Sequence, residues 1–103
     1  MKEIGFFEKV YLEVKKIPKG KVATYGDIAR RTGNIKASRA VGFALHRNPQ
    51  FIVIPCHRVV NRNGMLAESF VFGGKEEQKS LLESEGVKVS NDFRVDLTLY
   101  RVK

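Results

Sequence analysis

The chain has 103 residues, of which 43% are hydrophobic and 29% charged. This composition is typical of a globular protein and excludes a disordered tail or a collagen-like repeat. At this length we expect one domain, residues 1–103, with no membrane helix and no signal peptide. One cysteine and two histidines predict neither a disulfide framework nor a metal site, and they favour a reducing, cytoplasmic location.

Positive charge is concentrated in the middle of the chain. The net charge is +8, and eleven lysines and arginines but a single acid, Asp27, lie between Lys15 and Arg62. Such a basic segment framed by nearly neutral ends favours a polyanionic partner such as nucleic acid. The alternative is a solvated face that keeps a small protein in solution.

The first half of the chain predicts three helices. Apolar residues three and four apart indicate a helix over 5–17, ended by a proline and a glycine. Residues 22–24 form a short extended piece, and Thr24 can cap a second helix over 25–31. A third helix is predicted over 37–46. Two short helices joined by a tight Gly-Asn turn resemble a helix-turn-helix, with the third helix as the DNA-contacting one.

The second half predicts short extended pieces and a fourth helix. Residues 51–54 are a β-branched run, 59–60 lead into a turn, and 65–74 form a loop or wing. A helix follows over 75–85, and the alternating pattern over 93–102 predicts a final strand or an extended tail. The expected fold is therefore mainly α with a small β wing, a winged-helix-like DNA-binding domain that contains a helix-turn-helix.

The segment with the clearest chemical potential is Ile-Pro-Cys-His-Arg-Val-Val at 54–60. A cysteine is a strong nucleophile only as the thiolate, and a reactive Cys56 must ionise more easily than a free cysteine. His57 is a possible base and Arg58 a nearby cation. Neighbours in an extended segment point to opposite sides, so His57 would need a turn or a bridging water. The alternative is a buried, inert cysteine.

Four motifs in order resemble one known family. They are Ile-Pro-Lys-Gly-Lys-Val at 17–22, Ser-Arg-Ala-Val-Gly at 38–42, Pro-Cys-His-Arg-Val at 55–59 and Leu-Leu-Glu-Ser-Glu-Gly at 81–86. Together with Arg-Asn-Pro at 47–49, they resemble the C-terminal DNA-binding domain of the O6-alkylguanine-DNA alkyltransferases, over residues 6–87. That family transfers an alkyl group from guanine in double-stranded DNA to a cysteine, once per molecule, without metal or organic cofactor.

The resemblance implies roles for individual residues. Cys56 would accept the alkyl group, His57 would take the thiol proton through a water, Glu85 would orient His57, and Asn48 would shape the turn beneath the cysteine. Tyr25 would help rotate the base out of the duplex, and Arg39 would fill the space it leaves. The remaining implied sites are minor-groove or DNA contacts at Ala37, Ser38, Ala40, Gly42 and Arg58, and a base pocket containing Val59 and Ser69.

Two departures from the family leave alternatives open. The family's N-terminal domain is expected to be absent, and the loop 67–74 lacks the usual Tyr-Ser although it keeps Gly-Gly. Phe70 and Phe72 in that loop can stack on a base or pack in the core. The small size resembles the alkyltransferase-like proteins, which bind alkylated DNA without repair and usually carry Trp at position 56. We therefore expect a monomeric transferase, with a lesion-binding protein or a generic winged-helix DNA binder as alternatives.

Overall fold

A computed structural model describes residues 5–50, 53–67, 70 and 72–102. Within these ranges the fold is mainly helical, with one small parallel sheet. The helices are α1 (Phe6–Lys15), α2 (Tyr25–Arg31), α3 (Ser38–His46), α4 (Gly74–Ser84) and α5 (Leu97–Tyr100), and the strands are β1 (Ala23–Thr24) and β2 (Val59–Val60). Ala23 pairs with Val59 and Thr24 with Val60. No helix in the described ranges has the length and apolar character that crossing a membrane requires.

The start of α2 is fixed by its own sequence. The Thr24 hydroxyl accepts a hydrogen bond from the Asp27 amide (3.0 Å), and the Asp27 carboxylate accepts one from the Thr24 amide (3.0 Å). This reciprocal capping box satisfies two amides that have no partner within the helix. Because Thr24 also ends β1, the strand leads straight into α2 and places Tyr25 at the first helical position.

Helices α1, α2 and α3 pack around the larger of two apolar clusters. Val10 and Val14 of α1 meet Ile28 of α2 and Val41 of α3, and all four are fully buried. A hydrogen bond also links α1 to α3, since the Tyr11 hydroxyl donates to the Ala44 carbonyl at 2.7 Å. The second cluster lies under α4 and the C-terminal segment; its buried members are Val22, Val60, Leu66, Leu82, Val87, Val89 and Val95.

The predicted final strand over 93–102 is wrong. Asp96 caps a short helix instead, because its carboxylate accepts hydrogen bonds from the amide (2.9 Å) and the hydroxyl (2.6 Å) of Thr98. Around α5 the described chain forms isolated bridges, not a strand. The expected wing is also reduced: the described part of 65–74 contains no strand, and Met65 alone bridges Arg94.

The C-terminal segment is attached to the start of α2. The Val22 amide donates a hydrogen bond to the Tyr100 carbonyl, and the Val22 carbonyl accepts one from the Val102 amide, both at 2.8 Å. Next to this bridge, the Arg101 guanidinium contacts both carboxylate oxygens of Asp27 at 2.9 and 2.6 Å. Burial alone would raise the pKa of Asp27, but the hydrogen bonds from Arg101 and Thr24 outweigh it and lower the pKa to about 2. A residue near the chain end thus stabilises the helix that carries Tyr25.

Candidate functional site

A cavity of about 460 Å³ lies between α3 and the segment that contains Cys56. One wall is formed by α3 and the start of α2, and the other by the cysteine segment and the loop before α4. The lining is mostly apolar, which is typical of a site that binds a small organic group. Its residues include Tyr25, Arg39, Gly42, Phe43, Leu45, Cys56, Val59, Ala67, Phe70 and Gln78.

Cys56 begins a turn of 3-10 helix, Cys56–Arg58, directly after Pro55. Asn48 holds the chain before this turn, since its side-chain amide donates to the Ile54 carbonyl and its oxygen accepts from the Gln50 amide, each at 2.8 Å. Cys56 is buried, with 5% of its surface exposed. Burial raises the pKa of the thiol, and a hydrogen bond from Asn48 only partly opposes the rise. The expectation of an easily ionised thiol is therefore wrong for the free protein.

His57 is buried beside a carboxylate. Its Nε2 lies 3.1 Å from Oε2 of Glu85. A carboxylate accepts hydrogen bonds, so Nε2 carries the proton and Nδ1 has its lone pair free. Nδ1 is buried and has no hydrogen-bond partner among the described residues. Burial lowers the pKa of His57 more than Glu85 raises it. The imidazole is consequently neutral near pH 7, with one nitrogen able to accept a proton.

Arg58 faces the interior, away from the cavity. Its Nε and Nη2 donate to the two oxygens of Glu85 at 2.9 and 2.7 Å, and its Nη1 donates to the Ile17 carbonyl at 2.8 Å. Burial of Glu85 raises its pKa, but the hydrogen bonds from Arg58 and His57 outweigh this and lower it. Arg58 is thus engaged in holding Glu85, and its side chain is only 16% exposed. This inward placement differs from the expected contact between Arg58 and DNA.

Gln78 is a site residue that the sequence analysis missed. It is fully buried in α4 and lines the cavity. Its amide nitrogen donates to the carbonyls of His57 (3.1 Å) and Val59 (3.0 Å), and its oxygen accepts from the Ala67 amide (2.9 Å). One side chain therefore connects the cysteine turn, β2 and the loop before α4. The available sequence signal was a polar residue four positions before Leu82, on the same buried face of the predicted helix.

The other predicted residues divide between the cavity and its surroundings. Tyr25, Arg39, Gly42 and Val59 line the cavity with Cys56. Burial and the neighbouring Cys56 raise the pKa of Tyr25. Three further small residues, Ala37, Ser38 and Ala40, lie on the first turn of α3 or at its cap, outside the cavity lining. Ser69 lies outside the described residues.

A family assignment follows from the sequence of this same region. The profile of the family described as "6-O-methylguanine DNA methyltransferase, DNA binding domain" matches residues 5–87. The chain belongs to this family. The match includes α1 to α4, the cysteine turn and Glu85, and it ends before the C-terminal segment that bonds to Asp27.

Individual relatives differ in length and in name. The DNA base-flipping protein of Escherichia coli is 42% identical over 100 residues, which are 97% of this chain and 76% of that protein. A methylated-DNA–protein-cysteine methyltransferase of Methanosarcina acetivorans is 47% identical over 81 residues, 79% of this chain and 51% of the relative. The chain thus spans about half the length of that methyltransferase.

A solved structure matches the whole described fold. It is S. pombe Atl1 in complex with damaged DNA containing O6-carboxymethylguanine, with a TM-score of 0.87 and 38% identity. The similarity covers 100% of this chain and 99% of that one. The small α-helical fold with its parallel sheet is therefore that of the family's DNA-binding domain.

Proposed function

We propose that this protein binds duplex DNA that contains O6-alkylguanine, accepts the extruded base in the cavity, and transfers the alkyl group to Cys56. One observation carries the proposal. The cavity wall contains a cysteine whose sequence neighbour is a neutral histidine, held by a carboxylate at Nε2 and without a hydrogen-bond partner at Nδ1 among the described residues. This is the nucleophile, base and orienting-carboxylate arrangement used in covalent catalysis.

DNA would be bound by α2 and α3 as a winged helix-turn-helix, with α3 in the minor groove. The small residues at its start (Ala37, Ser38, Ala40 and Gly42) allow the helix backbone to approach the sugars closely. Arg39 is exposed at the cavity mouth, where its side chain can occupy the gap that the extruded guanine leaves. Tyr25, at the start of α2, acts on the backbone of the same nucleotide. The basic middle of the chain neutralises phosphates without regard to sequence.

The chemical step moves one alkyl carbon from oxygen to sulfur. A water passes the Cys56 proton to Nδ1 of His57, and Glu85 stabilises the imidazolium that forms. The thiolate attacks the alkyl carbon, a C–S bond forms and the C–O6 bond breaks. The electron pair stays on guanine, which takes up one proton, so the proton lost by the thiol is balanced. The products are S-alkylated Cys56 and normal guanine.

The remaining site residues position these groups. Arg58 holds Glu85 in place, which is a different role from the DNA contact expected at the outset. Asn48 supports the turn under Cys56, and Val59 forms part of the base pocket with Cys56 at its end. Ser69 is retained as a proposed hydrogen-bond donor to the extruded base. We propose that one domain, as a monomer, carries all of these functions.

Lesion binding without transfer is the second candidate function. Two observations favour it: the chain spans 99% of S. pombe Atl1, which is named an alkyltransferase-like protein, but 51% of the Methanosarcina acetivorans methyltransferase, and burial raises the pKa of the Cys56 thiol. In this case the same cavity would hold the modified base, and Cys56 would remain unmodified. The two functions share DNA binding and differ only in the chemistry of one sulfur atom.

One experiment separates them. The protein is mixed in excess with a duplex that contains a single O6-methylguanine, or with the matching unmodified duplex, and both binding and intact mass are measured. Transfer predicts one added methyl group per repaired lesion, located on Cys56, and none with unmodified DNA. Cys56→Ala should bind the lesion and gain no mass. Preferential binding with no mass gain by the parent would assign the second function, and no preferential binding would contradict both.

A further inference from the structure

Phe43 is an exception on the surface of α3. The residues before it on this helix are mostly small, but Phe43 is a large aromatic residue with 65% of its surface exposed. Exposed apolar area of this size is unfavourable in water, and large aromatic side chains at a surface often mark a contact site. Neither the core nor the proposed chemistry requires an aromatic ring at this position.

The position of Phe43 relates it to the cavity. Phe43 lines the cavity mouth together with Arg39 and Gly42. Residues four apart in a helix lie on the same face, so Arg39 and Phe43 are neighbours one turn apart. The surface beside them is open: apart from its chain neighbours and the nearby backbone of α3, a Cβ atom added at Gly42 would meet no atom of the described residues within 4 Å. A flat group entering the cavity from the Arg39 side would therefore pass the Phe43 ring.

We infer that Phe43 is a specificity-determining residue that packs against the extruded nucleotide at the cavity mouth. This inference rests on the proposed function. Nucleobases present a flat π-face, and their stacking on aromatic side chains is favourable for every base. Phe70 lies deeper in the same cavity and is nearly buried, so one aromatic ring lines the interior and another the entrance. Phe43 thereby stabilises the extruded state and contributes little to binding of an undisturbed duplex.

The test compares three duplexes of identical sequence. One contains O6-methylguanine, one contains unmodified guanine, and one contains an abasic site at the same position. Dissociation constants are measured for the parent, Phe43→Ala, Phe43→Leu and Leu99→Ala. Leu99 is a matched control, because it is an exposed apolar residue (62%) on α5 and does not line the cavity.

Phe43→Ala is expected to weaken binding of the O6-methylguanine duplex about tenfold. Binding of the unmodified and abasic duplexes should change by less than about twofold, because neither places a base at the ring. Phe43→Leu should lie between the parent and Phe43→Ala, and Leu99→Ala should match the parent on all three duplexes.

Each other pattern overturns the inference in a recognisable way. Equal losses on all three duplexes would make Phe43 a general DNA contact. Losses on the O6-methylguanine and abasic duplexes alone would place the ring inside the bent duplex and not against the base. No loss on the O6-methylguanine duplex would remove Phe43 from the site. If the parent itself shows no preference for O6-methylguanine, the proposed function fails first, and the inference fails with it.

Discussion

Two carboxylates, the buried Asp27 and the partly buried Glu85, are held in nearly the same way but have different surroundings. Each accepts two hydrogen bonds from an arginine distant in sequence, Arg101 for Asp27 and Arg58 for Glu85. Asp27 otherwise contacts the backbone amide of Thr24 and the exposed guanidinium of Arg30. Glu85 contacts His57, whose second ring nitrogen is unpaired among the described residues. The arginine pair alone therefore does not indicate a catalytic carboxylate; the third partner distinguishes the two.

The largest effect on methyl transfer should come from His57, the partner that distinguishes Glu85 from Asp27. His57→Ala removes the proposed base while leaving the cysteine in place. We expect the single-turnover rate of methyl transfer to fall by about two to four powers of ten. Lesion binding should stay close to that of the parent, because His57 is buried and does not line the cavity. An unchanged transfer rate in this variant would show that His57 is not the base.

Replacing each carboxylate by its amide compares the two sites directly. Glu85→Gln should slow transfer by about two powers of ten, because a neutral amide stabilises the imidazolium poorly and no longer fixes the tautomer. Asp27→Asn is the matched change, and at saturating DNA we expect its rate of transfer to stay within about threefold of the parent. Rapid-quench measurement of methylated protein gives both rates. Equal losses in the two variants would remove the distinction between the sites.

A change at the Asp27 site should lower the stability of the fold and not the rate of transfer. Arg101→Ala leaves the buried Asp27 carboxylate without its main partner, and we expect the free energy of unfolding to fall by about 1–2 kcal/mol. Urea unfolding followed by circular dichroism measures the change. Arg94→Ala is the control, since Arg94 is an exposed arginine whose distance to Asp92 is 3.9 Å. A loss in Arg101→Ala no larger than in Arg94→Ala would count against the role of the C-terminal segment.

The two sites should also differ in the pH range over which they stabilise the fold. The pKa of Asp27 is lowered from 3.8 to about 2, so its contribution is complete above pH 4 and is lost as the pH falls toward 2. The pKa of His57 is lowered from 6.5. The unfolded chain thus binds the His57 proton more readily, and stability falls as the pH drops below 6.5. Urea titrations across this range should show both losses, with the lower one reduced in Arg101→Ala.

Local sequence signals predicted much of the helical part of the fold. The Thr24 cap and the helix Tyr25–Arg31 are confirmed, because both depend on residues within one helical turn. The final strand was wrong because the alternation of 93–102 was weighed above a second local signal, the Asp96 cap, and because the bridge to Val22 joins residues that are distant in sequence.

The site was less predictable because its key contacts join distant parts of the chain. The motif around Cys56 identified the cysteine and the histidine, and the family resemblance suggested Glu85. Nothing in the sequence indicated that Arg58 would turn inward to Glu85, 27 residues later. Gln78 was missed for the same reason, since its three hydrogen bonds all go to backbone groups on other elements.

In the proposed mechanism His57, held by Glu85, accepts the Cys56 proton. The decisive measurement for this proton transfer is the pH dependence of the single-turnover rate of methyl transfer. Because the pKa of His57 is lowered by burial, the parent should transfer at a constant rate above about pH 6.5 and lose activity only as the pH falls below that value. A rate that rises continuously from pH 6 to 9, with the same slope in His57→Ala, would reflect ionisation of an unassisted thiol and would contradict the proposed proton transfer.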